Sequence, residues 1–129
     1  VKRVGVLPVG FVAGGAYERC RVNKTTGKID KLISNYPRIY SVDMASIVLH
    51  TNMLQEKHSP RLLIEWPAGL AETKFMAVLV KRVSEIEPLA NNCTEIYAYH
   101  VKTTIAKAPT KKVLDGEANK TAEQILLGI

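Results

Sequence analysis

The chain has 129 residues, of which 47% are hydrophobic, and its formal net charge at pH 7 is +6. This length and composition indicate one soluble globular domain over residues 1–129 and exclude a disordered chain. No stretch reaches transmembrane length and the start lacks the apolar region of a signal peptide, so a cytoplasmic location is expected. The excess of Lys and Arg over Asp and Glu, 18 to 12, suits a polyanionic partner such as nucleic acid, but such an excess also occurs in ordinary proteins.

The cysteines and histidines indicate neither a disulfide framework nor a zinc site. Cys20 and Cys93 stand far apart, and no Cys-x-x-Cys pair or Cys/His cluster occurs. The three histidines are scattered, which is more typical of surface residues than of metal ligands.

Alternating apolar residues predict three strands near the start of the chain, over residues 4–9, 16–22 and 29–33. The segment 23–28 between the last two is a predicted turn, in which Gly27 supplies a permissive backbone. Strand, glycine-containing loop and strand together predict an antiparallel hairpin.

The period then changes to that of helices. A helix is predicted over residues 41–57 with Ser41 as its cap, followed by a strand over 62–65 that Pro67 stops. The remaining predicted elements are a helix over 71–86, a strand over 95–98, a short helix over 100–107, an exposed basic loop over 108–116 and a last helix from 119 or 121. Hairpin strands followed by β-α-β units predict a mixed sheet with helices packed on it.

Glu65 is the first candidate for chemistry. It stands at the carboxyl end of the predicted apolar strand, where a charge is costly unless it is paired, solvated or bound to metal. The carboxyl ends of strands are also where open α/β sheets bind ligands. An ion pair with a nearby Lys or Arg, or plain solvation, explains such a carboxylate equally well.

The order of these elements resembles the ribonuclease H-like superfold, and within it the chain resembles the RuvC-type Holliday junction resolvases. The resemblance is carried by four segments, which are 4–10 (VGVLPVG), 62–67 (LLIEWP), 99–105 (YHVKTTI) and 116–120 (GEANK). It implies an α/β domain with a ribonuclease H-like mixed sheet, in which an antiparallel hairpin meander joins β-α-β units.

The resemblance also implies a function, namely a metal-dependent endonuclease that cuts branched DNA as a homodimer. Two Mg²⁺ or Mn²⁺ ions would activate water and stabilise the leaving oxygen. Glu65 would then be a catalytic metal ligand and Lys102 a catalytic phosphate contact. Further contacts to the DNA backbone would come from basic residues near the end of the chain, namely Lys107, Lys111, Lys112 and Lys120.

The sequence departs from the resolvase pattern in its acidic residues. Leu7 occupies the place of the first-strand aspartate of that family, and only Glu123 and, just before it, Glu117 stand near the last predicted helix, where that family carries its final carboxylates. Glu18 is a replacement only if the second strand faces the site, and Asp43 is disfavoured because it begins a predicted helix. Two alternatives therefore stay open: a catalytically reduced relative that binds nucleic acid or protein, and an unrelated α/β protein whose basic charge is incidental.

Overall fold

The computed structural model describes residues 1–12, 15–36, 38–56, 61, 65–67 and 69–100. Its strands are β1 (Val4–Val6), β2 (Val9–Gly10), β3 (Tyr17–Val22), β4 (Ile29–Ile33), β5 (Ile47–Leu49), β6 (Glu87–Pro88) and β7 (Ala98–Tyr99). The regular helix is α1 (Ala71–Leu79), and 3-10 turns cover Met44–Ser46, Thr51–Leu54 and Val83–Glu85. The predicted elements over 62–64 and 101–129 lie outside the described residues.

The predicted hairpin is confirmed. Strands β3 and β4 pair antiparallel, with Arg19 opposite Ile33. Asn23 starts the turn, because its Oδ1 accepts hydrogen bonds from the backbone N–H groups of Thr25 and Thr26 at 2.9 and 3.1 Å. Gly27 has a φ of +67°, which explains why the turn requires glycine there.

The predicted first strand is split between two sheets. In one sheet the order is β5-β1-β6, with β1 antiparallel to β5 and parallel to β6. In the other the order is β4-β3-β2-β7, with β2 antiparallel to β3 and parallel to β7. Pro8 lies between β1 and β2 and has no N–H group to donate to a strand ladder, so the chain changes sheets there.

The helix predicted over residues 41–57 does not form. Asp43 caps the 3-10 turn Met44–Ser46 by accepting a hydrogen bond from Ala45 N at 2.8 Å, and strand β5 follows directly. Ile47 and Val48 favour extended backbone because they are β-branched, and pairing with β1 satisfies their backbone groups. Tertiary pairing thus outweighs a helical spacing of apolar residues.

Helix α1 begins at the predicted residue but ends at Leu79, seven residues before the predicted end. Phe75, Met76 and Leu79 form its buried face. The chain then turns extended at Val80, whose carbonyl accepts a hydrogen bond from the Tyr40 hydroxyl at 2.8 Å. This bond replaces one that a longer helix would have made.

The core joins both sheets to α1 through buried side chains such as Val4, Val6, Ile29, Met76 and Ile86. A disulfide between Cys20 and Cys93 crosses it, with the two Cα atoms 5.7 Å apart. Cys93 ends the segment Leu89–Cys93, which contains left-handed backbone at four consecutive residues. The absence of a disulfide expected from the sequence was wrong, because two cysteines 73 residues apart carry no pairing signal.

No helix in the described ranges is long and apolar enough to cross a membrane. The ribonuclease H-like sheet and the single domain over 1–129 stay predictions.

Candidate functional site

A buried ion pair connects strand β3 with the loop before β5. Arg38 Nη2 lies 3.0 Å from Glu18 Oε1, and the two side chains are 9% and 2% exposed. Ser34 also donates its hydroxyl to Glu18 Oε1. Within the described residues, Glu18 Oε2 and Arg38 Nε are buried without a hydrogen-bond partner. Burying two charges so completely is costly, which is typical of a site kept for function rather than for stability.

Glu72 brings a second carboxylate to Arg38 from the first turn of α1. Its Oε2 lies 3.8 Å from Arg38 Nη1, and its side chain is 21% exposed. The same Arg38 Nη1 donates to the Gly69 carbonyl at 3.4 Å, which fixes the guanidinium against the start of the helix. Arg38 therefore lies between a buried carboxylate and one that solvent reaches.

Burial raises the pKa of the Glu18 carboxyl, and this outweighs the lowering by the Ser34 hydrogen bond and the Arg38 charge. The negative charges of Asp43 and Glu72 raise the same pKa further. The Glu18 carboxyl therefore responds to its burial, to Arg38 and to two neighbouring carboxylates.

This shift predicts how stability depends on pH. The folded chain holds the Glu18 proton more tightly than the unfolded chain, so the contribution of Glu18 is fully present below the unfolded value of 4.5. It is lost as pH rises through the folded pKa. Since glutamine does not titrate, we expect wild type to lose stability relative to Glu18→Gln over that range, as measured by urea unfolding. Glu56, in an exposed ion pair with Arg3, gives the matched control Glu56→Gln. A relative gain with rising pH would contradict the raised pKa.

Asp43 and His100 form a further pair beside this group. Asp43 Oδ2 lies 2.8 Å from His100 Nδ1, and the side chains are 12% and 41% exposed. Two backbone contacts hold the pair, since Asp43 Oδ1 accepts from Ala45 N and His100 N donates to the Gly10 carbonyl at 2.9 Å. Asp43 fixes the imidazole through its Nδ1 atom, and the ring stays partly exposed to solvent.

A cleft of about 810 Å³ opens beside Arg38 and the first two turns of α1. It is lined by Tyr36, Arg38, Ile39, Leu70, Thr73, Lys74 and Ala77. Glu72 is not among the lining residues, but its carboxylate lies 3.8 Å from the guanidinium of Arg38, which is one of them. Tyr36 presents a half-exposed ring within 5.5 Å of the Arg38 guanidinium. Space, an aromatic ring and a cation that is itself bound by a carboxylate suit a polar ligand with an apolar face, such as a sugar.

Of the site residues predicted from the sequence, only Glu65 lies in the described part of the chain, and it has no contact with this group. Glu65 lies exposed in a turn, and no group of three His, Cys, Asp or Glu among the described residues is able to hold a metal ion. The basic residues lie outside the described residues, namely Lys102, Lys107, Lys111, Lys112 and Lys120. Glu18 and Asp43 were weighed only as replacement ligands. Arg38 and Glu72 were missed, because neither a loop arginine nor a helical glutamate stands out without its partner.

Comparison with known proteins identifies the group to which the chain is related. The sequence profile of glycosyltransferase family 43 matches residues 1–104. A galactosylgalactosylxylosylprotein 3-beta-glucuronosyltransferase of Caenorhabditis elegans is 28% identical over 94% of the chain. Human enzyme 1 of the same name is 31% identical over 92%, and the Drosophila melanogaster enzyme is 27% identical over 87%. The chain spans about a third of the length of these relatives, 34% to 37%.

These matches overturn the resemblance to RuvC-type resolvases and with it the nuclease activity, the Holliday junction substrate and the DNA partner. Two further predictions rested on that resemblance and lose their basis with it. They are the nuclease roles of Glu65 and the lysines, and the homodimer. The order of short apolar segments is shared by many α/β folds, which is why it misled. The expectation of a divalent metal ion agrees with the matched family, whose members typically use one, but the family does not identify the ion as Mg²⁺. The described residues offer no complete set of ligands for it.

Proposed function

The chain belongs to glycosyltransferase family 43, and from this premise we propose that it forms part of a glucuronosyltransferase. The reaction would move a glucuronosyl group from an activated donor to the 3-hydroxyl of a terminal galactose on a protein-linked glycan. The names of the relatives supply this acceptor and linkage. The observation that carries the proposal is Glu72, a partly exposed carboxylate 3.8 Å from Arg38, which lines a cleft large enough for a sugar.

Glycosyl transfer to a hydroxyl needs a base, because the acceptor oxygen must lose its proton as it attacks the sugar carbon of the donor. Glu72 fits this role better than Glu18, since the Glu18 carboxylate is 2% exposed and already bound by Ser34 and Arg38. Asp43 fits less well, because Ala45 N and His100 occupy both of its oxygens. Glu72 would accept the proton from the acceptor hydroxyl.

Arg38 would position that base. Glu18 and the Gly69 carbonyl both bind the Arg38 guanidinium, so it would hold the Glu72 carboxylate in one place. A rigid pair places the acceptor oxygen and the base at a reactive separation without reorganisation during the reaction. The Glu18 carboxylate would thus hold Arg38 in place, and its negative charge explains why a buried arginine is tolerated.

The metal would be Mn²⁺ or Mg²⁺, hard cations that bind carboxylate and phosphate oxygens. When bound, such an ion would neutralise the leaving group of the donor. The described residues supply no complete ligand set for such an ion, so its ligands would have to come from elsewhere.

The proposal is tested by incubating the complete protein with an activated glucuronic acid donor, Mn²⁺ and a galactosyl-galactosyl-xyloside. We expect a product carrying β-linked glucuronic acid at the 3-position of the outer galactose. The matched control is an acceptor whose outer galactose lacks the 3-hydroxyl, which should yield no product. Absence of transfer by the folded protein with Mn²⁺ and with Mg²⁺ would overturn the proposal, as would equal transfer to the control acceptor.

A further inference from the structure

The turn between β3 and β4 contains the sequence Asn23-Lys24-Thr25, the acceptor pattern for N-linked glycans. We propose that Asn23 is a glycosylation site that carries an N-linked oligosaccharide in the mature protein. The inference concerns a surface far from the candidate site and does not rest on the proposed transferase activity.

The geometry of the turn leaves Asn23 able to carry a large group. All six residues of 23–28 are exposed, and the Asn23 side chain uses its Oδ1 atom to accept the N–H groups of Thr25 and Thr26. The atom that would be modified is Nδ2, and no hydrogen bond within the described part of the chain engages it. A glycan on Nδ2 therefore keeps the turn contacts intact and projects into solvent.

The location also keeps the glycan away from the cleft. Glu18 and Asn23 are five residues apart along an extended strand, which corresponds to about 17 Å at the usual rise of a strand. The modified turn and the Arg38 group thus lie at opposite ends of β3.

The disulfide supplies the second, independent observation. Cys20 and Cys93 are 2% and 3% exposed and bonded within the core, which is typical of proteins that fold in an oxidising compartment. Enzymes that glycosylate asparagine act in the same compartment. The cytoplasmic location stays a prediction from the sequence, and the disulfide argues against it.

The reaction would use an oligosaccharide linked to a lipid diphosphate. A bond forms between Asn23 Nδ2 and the anomeric carbon of the first sugar, while the bond from that carbon to the diphosphate oxygen breaks. The diphosphate leaves with the bonding electron pair, and the amide loses one proton to the base of the transferring enzyme.

The test is expression of the protein behind a signal peptide in eukaryotic cells, followed by release of glycans with an amidase in heavy-oxygen water. Peptide mapping should find Asn23 converted to aspartate with the heavy label. The map separates Asn23 from the two other matching sequences in the chain, Asn92-Cys93-Thr94 and Asn119-Lys120-Thr121.

Asn23→Gln and Thr25→Ala should each prevent attachment of one glycan, so each variant should migrate faster than wild type on a denaturing gel. Thr25→Ser keeps the acceptor pattern and should keep the glycan, and Thr26→Ala serves as the matched control in the same turn. An unlabelled Asn23 peptide from disulfide-bonded protein, or an unchanged gel mobility of Asn23→Gln, would overturn the proposal.

Discussion

Replacing Glu72 with glutamine is expected to lower kcat for glucuronosyl transfer by about 10²–10⁴-fold, the usual contribution of a general base. Glutamine keeps the size of the side chain but does not accept the proton of the acceptor hydroxyl. Glu72 is partly exposed and its contact with Arg38 is 3.8 Å long, so folding should be little affected. Steady-state kinetics with the galactose-terminated acceptor, together with thermal unfolding, would measure both effects.

Two further variants distinguish loss of the catalytic base from loss of a negative charge. Glu56→Gln removes a carboxylate from an exposed ion pair with Arg3 and should leave kcat unchanged. Glu72→Asp keeps the acid but shortens the side chain, so it should retain more activity than Glu72→Gln. Full activity of folded Glu72→Gln would contradict the role of this residue as the base.

Removing the disulfide by Cys20→Ala together with Cys93→Ala is expected to lower the free energy of unfolding by about 4 kcal/mol. The bond closes a loop with a sequence separation of 73 residues, and a cross-link of that span restricts the unfolded chain by about this amount. Replacing both residues leaves no free thiol in the core. Urea unfolding of the variant and of oxidised wild type would measure the difference.

Reduced wild type is the natural control for this pair of substitutions. Because both cysteines are buried, reduction should require partial unfolding and should then give a stability close to that of the double variant. A loss below about 1 kcal/mol in both samples would contradict a stabilising cross-link.

How much the sequence predicts differs between elements, for physical reasons. The β3–β4 hairpin was predictable because its signals are local: alternating apolar residues and a turn that needs Gly27. Strand β5 was not, because Val48 and Leu49 show helical spacing with their neighbours and become part of a strand only by pairing with β1. The start of α1 was predictable from its pattern, whereas its end depends on the contact of Tyr40 with Val80.

The candidate site was less predictable than the fold because its members are brought together only by tertiary structure. Arg38 lies in an irregular loop, Glu18 in a strand and Glu72 in a helix, with 20 residues separating the first two. Glu65 drew attention because a charge beside an apolar run is a local signal, yet that residue is exposed in a turn. A ribonuclease H-like sheet for the whole chain stays an untested prediction.

The most direct test of the proposed site is a crystal structure of the complete protein with the galactose-terminated acceptor bound. We expect the sugar to lie in the cleft between Tyr36 and α1. The 3-hydroxyl of its outer galactose should lie within hydrogen-bond distance, about 2.6–3.2 Å, of the Glu72 carboxylate. An acceptor bound elsewhere, with Glu72 and Arg38 facing only solvent, would contradict it.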